Sequence, residues 1–297
     1  MQRFETRLDR YPFSPIESRP DYDWPGGKRL AAYFALNIEA FEFGRNPGND
    51  FTSMPSPPFQ RGYAYRDFGN RVGVWRILRL FQQFDIPLTI IANASVYDVC
   101  PEVLAACRRN GYELVAHGWT NSERQIDMDA AAERSMLSNV VGRITKEEGK
   151  RPEGWLGPFL SQSPRTPELL KEAGFRYMLD WYFDEQPVWF KTDNGPILAV
   201  PYPAMELNDL PAYINRGASD EEFEGMLTDA FDEQLADAQR FPLVYAASFH
   251  TFLTGQPHRL RKLRRVLQHI ADHRDKVWFT TPGEIARHAE STLPSVT

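Results

Sequence analysis

The stretch "LVAHGWTNSE", residues 114–123, decides how this chain is read. Leu114, Val115 and Ala116 form a short apolar run of β type, which delivers His117 to the rim of a sheet. Trp119, Thr120 and Asn121 follow at once. Chemistry in α/β barrels collects where strands end and loops begin, so such a junction marks a candidate site. In metal hydrolases a histidine here commonly has a second histidine one helical turn later. Asn121 stands there instead, which raises the question whether this site needs an ion.

The same junction recurs along the chain. "RLAAYFALNIEA" reads as a buried strand ending at Glu39, and "PLTIIAN", "YELVAH", "EGWLGP", "RYMLDW", "ILAVPYP" and "LVYAASFH" read as further strands. "VWFTTPGEIARHA" closes with a strand and a short helix. Amphipathic helices alternate with them. "NRVGVWRILRLFQQFD" places Val72, Trp75, Leu78 and Ile77 or Phe81 on one face, and "YDVCPEVLAACRRNG" is closed by Gly111. The later helices are "MDAAAERSMLSNVVGRITKEEG", "TPELLKEAG", "DEEFEGMLTDAFDEQLADAQ" and "RLRKLRRVLQHIADH". Repeated strand–helix units predict an α/β fold with a mostly parallel sheet, and about seven or eight strands suggest a closed or nearly closed barrel. Residues 43–63, rich in Gly, Pro, Asn and Ser, form a long connection of the kind used as a lid or binding loop. The chain has no glycine-rich phosphate loop, which argues against nucleotide binding.

Bulk properties narrow the class. The chain has 297 residues, 42% hydrophobic and 25% charged, with a formal net charge of -6. That length allows one large α/β domain or two small ones. An acidic chain lacks the clustered positive charge that nucleic acid requires, and the basic run "RLRKLRR" reads as a solvated helix face. The opening "MQRFETRLDRYPF" lacks the apolar core of a signal peptide. No apolar run approaches the roughly 18 residues needed to span a bilayer, so a cytoplasmic protein with no membrane partner is expected. Cys100 and Cys107 fall in one expected helix, about 10 Å apart at the helical rise. That is too far for a disulfide, and free thiols suit a reducing compartment.

Reading off the strand ends gives one list: Asn37 and Glu39; His117, Trp119 and Asn121; Trp155 and Pro158; Asp180, Trp181 and Asp184; Glu206, Asn208 and Asp209; His250 and Phe252. Any one of these is more commonly a capping acid, a satisfied histidine or a core aromatic. Their concentration at matching ends of successive strands is what points to a site.

The order of these segments resembles the NodB-type polysaccharide deacetylase superfamily. "NIEAF" stands where its first motif ends a strand with two acids, and "HGWTN" where its second has two histidines. "GWLGPFLSQSPRT", "LDWYFDEQP" and "SFHTF" stand at its third, fourth and fifth motifs. The finer texture ("FGNRVGVWRIL", "GQPHR") is closest to the branch of metal-independent allantoinases and bacterial cyclic-imide hydrolases. The resemblance implies a distorted (β/α) barrel over roughly residues 25–290, with an N-terminal extension (1–24) and a C-terminal tail (291–297). It also implies a homo-oligomer, with the proline-rich segments 11–27 and 51–60 available to meet a neighbouring subunit.

In the metal-dependent members the second acid of the first motif and both histidines of the second bind the ion. Ala40, His117 and Asn121 occupy those positions here, one good ligand of three. A catalytic zinc wants three protein ligands, so no cofactor is expected, and at most a weakly held divalent ion at His117. The substrate explains why. A cyclic imide or ureide has a ring nitrogen flanked by a second carbonyl, which activates the ring. Hydrogen-bond donors, each worth about 3 kcal/mol in a transition state, then suffice, and His117 and Asn121 are suited to hold the oxyanion or ring oxygens.

Glu39 falls at the catalytic acid position and is expected to act as general base, with a pKa raised by burial. The bland alternative pairs it with Arg71, itself a candidate at the substrate. His250 would donate a proton to the leaving nitrogen or steady the oxyanion, and Asp180 or Asp184 would orient His250 or the substrate N–H. Trp119, Trp155 and Trp181 would form flat walls for a planar ring, with Asn37, Asn208 and Phe252 beside it. The expected activity is hydrolysis of a small cyclic imide or ureide. The competing readings are a metal-dependent deacetylase of N-acetylated carbohydrate, with Glu39 and His117 as ligands, and an inactive barrel that binds a small molecule.

Overall fold

The computed structural model describes residues 8–45, 60–203 and 205–294. Residues 46–59, most of the expected lid, lie outside that range. The sheet is organised around β1 (Leu30–Ile38), whose nine residues are all buried, as expected of a strand covered on both faces. It alternates strictly. Leu30, Ala32, Phe34, Leu36 and Ile38 pack into the layer of helices, while Ala31, Tyr33 and Ala35 pack into a second cluster on the concave side.

The other strands are β2 (Thr89–Ala92), β3 (Glu113–Ala116), β4 (Gly154–Trp155), β5 (Tyr177–Met178), β6 (Val188–Phe190), β7 (Ile197–Ala199), β8 (Leu243–His250) and β9 (Val277–Phe279). They run in the order β6-β7-β5-β4-β3-β2-β1-β8. β9 pairs with the first half of β1, through Leu30–Ala32, and β2 with the second half, through Ala35–Ile38. All pairings are parallel except β6 with β7. The result is a mixed α/β fold, a curled half-barrel of parallel strands. Sequence patterning missed β6, whose "VWF" sits in an otherwise irregular region. The sheet also does not close strand to strand. Loop backbone covers the outer edge of β8 instead, with Val244 N–H donating to Glu185 O (2.9 Å) and Ser248 N–H to Leu207 O (2.9 Å).

Local chemistry moves two helices from their expected places. The helix expected over residues 70–85 begins earlier, at Gln60, and passes through a π turn at Gly69–Gly73 before running Val74–Phe84. The extra residue of a π turn rotates the apolar face. Val72 is thereby exposed, and Val74, Ile77, Leu78, Leu80 and Phe81 are buried instead. The helix expected to hold both cysteines is broken at Cys100, because Pro101 disfavours helical backbone in the residue before it. The basic helix Pro257–Ala271 is not merely solvated. Arg259, Lys262 and Arg265 pair with Asp220, Glu221 and Glu224 of the neighbouring helix.

The π turn touches the chain just after β8. A Cβ on Gly73 would lie 2.0 Å from the carbonyl oxygen of Thr251, and one on Gly69 2.4 Å from the Thr251 hydroxyl. Backbone meets backbone here, so nothing can give way cheaply. Gly73→Ala should destabilise the protein by about 3 kcal/mol through overpacking. A thermal melt checks this, and an unchanged midpoint would refute it.

Candidate active site

Parity along the strands builds the site. The inward residues of β1 continue past Ala31, Tyr33 and Ala35 to Asn37 and Glu39. On β8 the inward series Val244, Ala246 leads to Ser248 and His250, with His250 directly beside Asn37 in the register. Val115 of β3 leads to His117. The apolar floor of the half-barrel thus ends in a polar layer around a cavity of about 240 Å³, lined by Asn37, Glu39, His117, Asn121, Asn208 and His250 among others.

Glu39 is at its centre. Its Oε1 lies 3.7 Å from His117 Nε2 and 3.6 Å from His250 Nε2, and its Oε2 is buried with no hydrogen-bond partner. His117 Nδ1 donates to the Leu156 carbonyl (2.7 Å), which turns Nε2 toward Glu39. His250 is held from behind by Asp209, which is fully buried. Asp209 Oδ1 accepts a hydrogen bond from His250 Nδ1–H (2.7 Å), while Oδ2 accepts from the His250 backbone N–H (2.8 Å) and the Thr254 hydroxyl (2.6 Å).

This arrangement reverses the expected direction of the Glu39 pKa shift. Burial alone would raise its pKa, but the charge of His250 and the approach of both imidazoles outweigh burial and hold the carboxyl below the usual range. Burial likewise favours neutral His250, yet the charges of Asp209 and Glu39 push its pKa up to about 10. The site is therefore a preformed ion pair at neutral pH, a carboxylate beside an imidazolium.

Side-chain amides brace this core. Asn93 accepts from Ala40 N–H (2.9 Å) and donates to the His117 carbonyl. Asn70, in the π turn, donates to the Glu39 carbonyl (2.8 Å). Asn37 donates to Ser248 Oγ (2.9 Å), which also meets the Tyr202 hydroxyl (2.7 Å). The turn after β4 holds Phe159 and Leu160 at φ 60° and 50°, and both line the cavity. Left-handed backbone at two non-glycine residues is strain of the kind found at ligand-binding turns.

A family profile described as polysaccharide deacetylase matches residues 61–178. A crystal structure of Puue allantoinase is 33% identical, covering 97% of this chain and 100% of that one, with a TM-score of 0.83. A crystal structure from Pseudomonas aeruginosa PAO1, described as a "probable polysaccharide deacetylase", is 30% identical over 95% of this chain and 99% of that one, with a TM-score of 0.84. The chain belongs to the polysaccharide deacetylase family. A Helicobacter pylori member named peptidoglycan deacetylase is 26% identical, over 72% of this chain and 82% of its own. Membership places the chain in a superfamily of hydrolases.

The metal site that the resemblance implies for other deacetylases does not fit these residues. Ala40 has only a methyl group where a carboxylate would bind. Among the described residues, no group of three or more His, Cys, Asp or Glu side chains is placed to hold an ion. No helix of the described residues is long and apolar enough to cross a membrane.

Several expected site residues stand elsewhere. Asp184 does not reach His250. It takes a bidentate ion pair from Arg19 (2.6 Å and 2.7 Å) and so anchors the N-terminal segment. Asp180 does not orient His250 either. It accepts from Gly157 N–H (2.7 Å) just behind the cavity, where burial pushes its carboxyl up to about 7. Arg71 is exposed and pairs with Asp67 (2.6 Å), not with Glu39. The three tryptophans form no walls. Trp155 is fully buried and Trp119 packs against the core, while Trp181 donates to Gln162 (2.9 Å) beneath the N-terminal segment. Phe252 is buried against His250, edge to face at 5.8 Å. The aromatic lining comes instead from Phe41, Phe159 and Tyr202. Asp209 stood among the strand-end residues without a role, and Asn93 and Tyr202 were missed. Alternation alone extends the inward series Ile91 to Asn93 and Val200 to Tyr202, the signal that would have found those two.

Proposed function

We propose that the protein hydrolyses a small cyclic imide or ureide, adding water across a ring carbonyl carbon–nitrogen bond. The observation that carries this reading is the Asp209–His250–Glu39 chain beneath a cavity of about 240 Å³, a size suited to a single small ring. The ionised Glu39, 3.7 Å from His117 Nε2, takes a proton from water as the water oxygen attacks the carbonyl carbon. His250, already cationic, gives its proton to the departing nitrogen. Glu39 then returns its proton to His250, 3.6 Å away, which resets the site. A carboxylate of lowered pKa is a modest base, which suits a ring carbonyl already activated by its neighbour. The 33% identity with Puue allantoinase supports a ureide among the candidates.

The test is turnover of succinimide, maleimide, hydantoin, allantoin and an N-acetylglucosamine oligomer, before and after exhaustive chelation, with metal assayed on the same sample. Ring opening that survives chelation is expected. Activity confined to the acetylated sugar, and restored only by metal, would overturn the reading.

A pH profile follows from the ion pair. Glu39 is ionised well below neutrality, so kcat/KM should stay level from about pH 5. His250 has a raised pKa, so its acid form is present below about 10 and lost as pH rises through that value. The alkaline limb should therefore lie above pH 9, and a limb near the ordinary histidine value of about 6.5 would exclude His250 as the acid.

A further inference from the structure

Asn121 sits at the cavity wall with 4% of its surface exposed. Its backbone N–H donates to Ala40 O (2.8 Å), which fixes the residue. Its side chain is different. Oδ1 is buried without a partner, and neither amide atom hydrogen-bonds to any described residue. The neighbouring asparagines are committed, Asn37 to Ser248 and Asn208 to the Leu210 N–H. A buried amide left open on both atoms is costly unless a ligand completes it. A primary amide offers one donor and one acceptor side by side.

We infer that Asn121 is a specificity-determining residue that reads the cis-amide edge of the substrate ring, through two antiparallel hydrogen bonds. This rests on the ring-opening function proposed above and adds what the site demands of the ring. A ring forces its amide to be cis, so the C=O and N–H point the same way and pair with Asn121. An acyclic N-acetyl group is trans, with C=O and N–H on opposite sides, and can satisfy only one of the two atoms. The pairing holds whichever way the Asn121 amide is turned, because ring and side chain each carry one donor and one acceptor.

The contact also selects the carbonyl that reacts. In an imide, Asn121 engages the N–H and one carbonyl, which leaves the second carbonyl for water and Glu39. Water's oxygen bonds to that carbon and its proton passes to Glu39. The carbon–nitrogen bond breaks, and the nitrogen takes a proton from His250. The product is a carboxylic acid with a primary amide, still paired to Asn121.

The experiment compares succinimide with N-methylsuccinimide at neutral pH, in the wild-type protein and in Asn121→Ala. N-methylation keeps both carbonyls and removes the N–H. The wild type should lose at least about 100-fold in kcat/KM on N-methylsuccinimide, since sites built around a buried hydrogen bond reject analogues that lack it. Asn121→Ala should lose a similar factor on succinimide, with the two substrates then turned over within about threefold of each other. Wild-type turnover of both at similar rates would overturn the inference while leaving ring opening intact. Full discrimination in a folded Asn121→Ala would also overturn it. Turnover of neither substrate, nor of hydantoin or allantoin, would overturn the ring-opening function itself and this inference with it. If Asn121→Ala fails to fold, the wild-type comparison alone decides.

Discussion

Replacing Glu39 with Gln should lower kcat/KM for ring opening by about a thousandfold or more, the scale of a lost general base. The isostere keeps the shape of the side chain between His117 and His250, 3.7 Å and 3.6 Å away, and removes only its charge and basicity. His250 retains Asp209 at 2.7 Å, so no buried cation is left alone and the fold should survive. The expected signature is a collapse in kcat with little change in KM, since the water and not the substrate loses its partner. Steady-state kinetics beside a thermal melt reads both. A folded Glu39→Gln protein with substantial turnover would remove Glu39 from the chemistry and leave His117 Nε2 as the candidate base.

Asp209→Asn should have the second largest effect, and its pH profile identifies the cause. Asp209 touches His250, not the cavity, so it is a positioning residue. Its carboxylate fixes the imidazole tautomer and is the leading charge that raises the His250 pKa against burial. An amide there takes away that charge. It also faces the backbone N–H of His250 and the hydroxyl of Thr254 with a donor in one of two orientations. Turnover should fall by about a hundredfold or more, and stability by about 2 kcal/mol from the unsatisfied donor. The diagnostic result is a shift of the alkaline limb to lower pH, because the folded His250 then loses its proton earlier. A purely structural role would lower activity without moving the limb.

Much of the fold was legible because burial dictates composition. A strand covered on both faces must be apolar throughout, as in "LAAYFALNI" and "LVYAASFH", and a strand–helix alternation leaves few ways to arrange such strands. Two-residue strands such as Gly154–Trp155 carry no periodicity of their own, and β6 carries too little to separate it from a loop. The rotated helix face had a local cause, the π turn, that a 3.6-residue period cannot register.

The site divides along the same line. Local pattern places Glu39, His117 and His250 at strand ends, since each terminates an apolar run, and the family resemblance puts Ala40 and Asn121 where metal-dependent members carry ligands. Alternation then sends Asn37, Glu39, Ser248 and His250 to one face. Which acid serves His250 was set by the fold. Asp180, Asp184 and Asp209 look alike as letters, each just beyond a strand. The fold gives Asp184 to Arg19, Asp180 to Gly157 and Asp209 to His250. It also decided the charge on Glu39, because two imidazoles from distant segments outweigh burial. Strand ends are set by local burial, whereas partners and protonation depend on which groups meet across many residues of chain, and that is settled only when the sheet curls.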